Sequence, residues 1–154
     1  AKALLFLSTK TKRRGPNCWN SCLVYSEILD YIRHSPEHEI NFWLSSPLAK
    51  KLQSFSQLRA GDILVIKKNK RHEHAFIYIS KNIVLTKNGL SPTAKYRLMD
   101  IKEVADLYFD SVNGEVEAYR IEDIQNNKQK MQALMPSIYF ELSDTYDEAS
   151  LSTL

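Results

Sequence analysis

Between Gly61 and Lys87 short apolar runs alternate with turn residues, and this stretch limits the possible folds more than any other. Gly61-Asp62 punctuates the chain, Ile63–Lys67 follows as a buried type of strand, and Lys67–Arg71 makes a basic loop. His74–Ser80 reads as a second strand, Lys81-Asn82 as a turn, and Ile83–Lys87 as the returning strand of a hairpin. Runs this short, rich in β-branched and aromatic residues, satisfy strand periodicity and cannot make a helix of ordinary length. Asn88-Gly89 is a further turn, and Lys95–Met99 a weaker strand. Asp100–Phe109 then reads as a helix capped by Asp100, Val116–Ile121 as a strand, and Glu122–Leu134 as a helix stopped at Met135-Pro136. Ile138–Leu142 is expected as a last strand.

The first third has a different period. After the turn Gly15-Pro16-Asn17, the residues Cys18, Cys22, Tyr25, Leu29 and Ile32 recur at helical spacings, with Asn17 as the N-cap and an end near His34-Ser35-Pro36. Two short helices are expected at Glu37–Leu44 and Pro47–Phe55, the second opened by its proline. Helices first and a mainly antiparallel sheet afterwards define the α+β class. With 154 residues, 44% apolar and 25% charged, the chain has the material for one core, so residues 15–142 are read as a single domain. The same balance excludes a disordered chain and a collagen-like repeat. No apolar run approaches the roughly 20 residues of a membrane-spanning helix.

Charge is unevenly distributed. Lys2, Lys10, Lys12, Arg13 and Arg14 form a basic arm over residues 1–14, and Glu141, Asp144, Asp147 and Glu148 belong to an acidic, polar C-terminal end, with the tail proper at 143–154. No aromatic residues interleave with the arm's cations, so nucleic acid is not the expected partner, although contact with an anionic surface is compatible with it. Cys18 and Cys22, one helical turn apart on one face, have the wrong geometry for a disulfide and do not argue for an oxidising compartment. A chain that opens on Ala1 fits prior processing, which tilts the expectation toward an exported protein.

Four features bearing on chemistry come in chain order. Cys18 opens a helix, where aligned amides favour thiolate. A Gly61-Asp62 turn leads into the core strand Ile63–Ile66, His74 heads the apolar strand Ala75–Ile79, and Thr86 and Asn88 follow on the returning segment. A thiol, a separated imidazole and a third group that orients the imidazole are what acyl transfer through a covalent intermediate requires. Thr86 and Asn88 share strand parity, so alternation does not separate them; the Asn88 amide is the better match to an imidazole N–H. Asn17, Trp19 and Asn20 flank the nucleophile and are candidate substrate contacts.

This pattern resembles the NlpC-type branch of the papain-like cysteine peptidases, over roughly residues 15–90. Cys18 at a helix start, Gly61-Asp62 before the first core strand, and His74 with Tyr78 in a His-x-x-x-Tyr context match in order and approximate spacing. The family's Asp-Cys-Ser-Gly around the nucleophile is here Asn17-Cys18-Trp19-Asn20, and its third residue, often a second histidine, falls on Thr86. The resemblance implies a papain-like fold with a nucleophile helix packed on a small sheet, and hydrolysis of a peptide or cell-wall amide. It implies no metal and no organic cofactor. Two other readings stand beside it. One is a catalytically idle domain that uses the same cleft to bind a peptide, glycan or protein. The other is a zinc site built from Cys18, Cys22, His72 and His74, whose His-x-His spacing is unusual for such sites. The hydrolase reading predicts fast alkylation of Cys18 at mildly acidic pH, dependent on His74.

Overall fold

The computed structural model of the chain describes residues 16–30, 32–89, 94–108, 114–122 and 124–133. The basic arm, the expected strand Ile138–Leu142 and the acidic tail lie outside the described residues. Contacts divide the chain into two units, residues 1–122 and residues 123–154. In the second, one helix spans Ile124–Ala133, close to the expected 122–134.

The first unit is α+β and opens on α1 (Cys18–Tyr25), capped by the Asn17 side chain, which accepts from the amide of Asn20. The helix is much shorter than its apolar period suggests. Glu27 adopts a left-handed conformation (φ 62°), Ile28 N–H donates to the carbonyl of Leu23, and Glu27 N–H to that of Val24. This is a Schellman stop, and Leu23 and Ile28, the two positions it brings together, are both wholly buried. Glycine normally signals such a stop; here glutamate takes the strained position, so the sequence carries no mark of it. Leu29 still reaches the core after the turn, which is why the periodicity seemed to continue.

Next comes α2 (Glu37–Leu44), as expected, with Ile40 and Trp43 fully buried. The expected helix at Pro47–Phe55 does not form. Ala49–Lys51 is instead the short edge strand β1, followed by a single 3₁₀ turn at Phe55–Gln57. Antiparallel pairing of β1 with Ile121–Tyr119 overrides the local helical preference.

The remaining strands are β2 (Ile63–Lys68), β3 (Arg71–Ser80), β4 (Ile83–Lys87), β5 (Tyr96–Asp100) and β6 (Gly114–Ile121), with α3 (Ile101–Tyr108) between the last two. The supposed basic loop is a tight hairpin: β2 and β3 extend to Lys68 and Arg71, and Asn69 and Lys70 both take positive φ, the geometry of a two-residue turn. The sheet is antiparallel throughout, in the order β1-β6-β2-β3-β4-β5. Its central strand β2 is buried on both faces, which explains the unbroken run Ile63–Ile66. One face carries Leu64, Ile66, Phe76, Val84 and Ala118 against Val104 of α3. The helix α1 packs on β3 and β4.

Candidate functional site

The site forms where β3 and β4 part. Their pairing runs from Ser80↔Ile83 to Ile77↔Leu85 and goes no further, although both strands continue. Beyond that point side chains bridge the gap. His74 is buried, and its Nε2 lies 2.7 Å from Thr86 Oγ1. Thr86 in turn donates to Asn88 Oδ1 at 2.8 Å, and Asn88 Nδ2 donates to Met99 Sδ at 3.2 Å. The direction of this chain fixes the tautomer. With the Asn88 NH2 turned to Met99, its oxygen takes the Thr86 proton, so Thr86 accepts from His74 and the imidazole hydrogen sits on Nε2. Nδ1 therefore keeps its lone pair. Both candidates for the orienting group take part: Thr86 meets the ring at Nε2, and Asn88, the one favoured from sequence, accepts from Thr86 and also lies within hydrogen-bonding reach of the imidazole.

Cys18 reaches this gap from the N-terminus of α1. Burial pushes its thiol up to about 11, while the backbone amides of Ala75, Trp19 and Cys18 itself, and then the Lys87 ammonium, favour the anion. Ala75 is the residue after His74, so the sulfur meets β3 beside the histidine. Burial pushes His74 the other way, down to about 3, against a hydrogen bond to the Asn88 side chain that favours the protonated ring. Thiol and imidazole are both uncharged at neutral pH. Desolvation favours the protonated thiol and works against the fast alkylation expected under mildly acidic conditions.

Asn17 and Asn20, expected as substrate contacts, are 2% and 0% exposed and are used by the protein itself. Asn17 Nδ2 donates to the carbonyl of Ser35 at 2.5 Å, and its Oδ1 accepts from the amides of Asn20 and Ser35. Asn20 donates to Ser35 Oγ and accepts from the amide of Arg33, whose guanidinium pairs with the buried carboxylate of Glu39. The two asparagines hold the helix start in place and are positioning residues. Trp19 is half-buried beside Cys18. Asp62 of the Gly-Asp turn is likewise structural: it accepts from the amide of Arg59 and from the guanidinium of Arg120 on β6.

Two residues at the site went unnoticed in the sequence. Lys87 is wholly buried, donates to the carbonyl of Gly89 at 3.1 Å, and faces away from Thr86 by strand alternation. Tyr108, at the end of α3, stacks on His74 with ring centroids 3.9 Å apart and planes 8° from parallel. The run of apolar and charged residues around Lys87 gave a faint signal, since a lysine inside a strand pattern at a presumed core position is uncommon. Nothing in the sequence linked Tyr108 to a histidine 34 positions earlier.

Cys22, one turn below Cys18, is a core residue. Among the described residues no group of three or more His, Cys, Asp or Glu is arranged to hold a metal ion, and no helix is long and apolar enough to cross a membrane. No family model, no curated protein and no solved structure matches this chain.

Proposed function

We propose that this chain is a thiol-dependent hydrolase or acyl transferase of the papain-like, NlpC type, acting on an amide bond through a Cys18 acyl-enzyme. The observation that carries the reading is the meeting of the Cys18 sulfur with the backbone of Ala75 on β3, the residue after a buried His74 whose Nε2 is tied to Thr86. The order of helix, strand and histidine supports the papain-like comparison; the peptide or cell-wall substrate follows from that resemblance alone.

In this mechanism both groups start neutral. As the sulfur attacks the carbonyl carbon, its proton passes to His74 Nδ1, and the C–N bond breaks when the imidazolium returns that proton to the leaving amine. Water then attacks the thioester, with His74 again as base, and regenerates the thiol. The new imidazolium is stabilised at Nε2–H by Thr86 and Asn88, and the Cys18 backbone N–H donates to the oxyanion, a contact worth about 3 kcal/mol in comparable sites.

The idle binding domain is the second reading, favoured by the shifts that hold Cys18 at about 11 and His74 at about 3, because no reactive ion pair exists at rest. Intact-mass analysis separates the two. After incubation with p-nitrophenyl acetate and a panel of acylated peptides, the hydrolase gains an acyl group on Cys18. Cys18→Ala loses the adduct, and His74→Ala forms it about a hundredfold more slowly or worse, as expected for loss of a general base. A folded protein that acquires no adduct on Cys18 from any acyl donor is the binding domain.

A further inference from the structure

The parallel stack of Tyr108 on His74 is closer than the edge-on packing that most aromatic pairs adopt in a core, and it joins α3 to an imidazole on β3 that the proposed reaction uses. On its other neighbours His74 is already constrained. Phe76 lies 5.9 Å away on the same strand, Ile66 pairs with it from β2, and Thr86 takes Nε2. Those contacts fix one edge of the ring and leave rotation of its face to be stopped by something flat. A phenol ring parallel to the imidazole does this and closes the ring's face to water.

We propose that Tyr108 is a positioning residue for His74, its ring holding the imidazole with Nε2 on Thr86 and Nδ1 open to the thiol proton and keeping water from the ring's face. This rests on the hydrolase reading for its use, but the stack acts on His74 whether or not acylation occurs. Tyr108 from α3 is the ionisable group stacked on His74; Cys18 of α1 in turn interacts with Tyr108 and with Lys87 of β4. The ring acts through its face, and its hydroxyl is not required.

Two readouts on the full chain test this. The first is NMR of the His74 imidazole in labelled protein. Wild type is expected to show a single Nε2–H tautomer and a titration held well below 6.5 by burial. Tyr108→Leu admits water, mixes the tautomers and moves the titration up toward 6.5, the ordinary histidine value, whereas Tyr108→Phe keeps the wild-type signature. The second is the acylation rate of Cys18 by p-nitrophenyl acetate. It is expected to fall about tenfold in Tyr108→Leu and stay within about twofold in Tyr108→Phe, with Tyr108→Trp restoring part of the loss. An unchanged His74 titration in Tyr108→Leu overturns the proposal, as does a Tyr108→Phe variant as impaired as Tyr108→Leu, which would transfer the role to the hydroxyl. Should Tyr108→Leu not fold, Tyr108→Phe is compared with wild type alone: a titration of His74 and an acylation rate within about twofold of wild type support the proposal, and a larger change in either overturns it. Wild type that is never acylated on Cys18 sinks the hydrolase reading and leaves the NMR comparison to judge Tyr108.

Discussion

Thr86 carries the most information per atom in the site. Its hydroxyl accepts from His74 and donates to Asn88, so a single oxygen determines both where the imidazole hydrogen sits and which nitrogen is open to a proton. Thr86→Val keeps the shape and removes that oxygen, leaving a buried Nε2–H with no acceptor. The expected cost is about 1–3 kcal/mol of stability, read from urea unfolding, together with slower acylation of Cys18. Thr86→Ser, which keeps the hydroxyl, is expected to recover most of both. The sequence narrowed the orienting group to Thr86 or Asn88 because they share a face. It could not choose, since the choice depends on how far β3 and β4 separate beyond Ile77↔Leu85.

At the scale of elements, α1 shows how far the position of Cys18 depends on residues outside its own helix. Asn17 ties the helix start to Ser35, Asn20 reaches Arg33, and Arg33 is clamped by Glu39 from α2. Glu39 is fully buried and Arg33 nearly so, which makes the pair sensitive to loss of one partner. Glu39→Ala strands a buried guanidinium and is expected to lower stability by about 3–5 kcal/mol. In a denaturation series, Glu39→Ala paired with Arg33→Met should lose less than Glu39→Ala alone. The cap and the start of α1 were legible, because Asn17 has a specific chemistry there. Its end was not, because Glu27 in a left-handed conformation looks like any other helical glutamate.

For the molecule as a whole, two carried protonation states tie the fold to pH. Burial holds His74 down to about 3, against 6.5 for the ordinary side chain. The unfolded chain therefore binds a proton that the native one refuses, and stability present above about pH 6.5 is lost progressively toward pH 3. Glu117 titrates lower. Burial alone pushes it up, but hydrogen bonds from Lys51, Lys67 and Tyr119 outweigh that and hold it at about 2, so its contribution is present above 4.5 and lost below. Unfolding free energy measured against pH should fall from about 6.5 downward, and His74→Gln should flatten the slope between about 4.5 and 6.5 while leaving the steeper decline below it. The sheet order was illegible at this scale: β6 inserts between β1 and β2, pairing residues some fifty positions apart, and no local pattern encodes such a partner.

The chain's own residues determined the class of fold and the start of α1 and marked Cys18 and His74 as candidates, because capping, hydrophobic period and the chemistry of a thiol or an imidazole are properties of short segments. Only the tertiary structure decided that Asn17 and Asn20 face inward, that Thr86 and Asn88 both take part, and that Tyr108 covers His74. Each of those depends on which surfaces come together when distant strands and helices bury their apolar faces, and on the desolvation that follows.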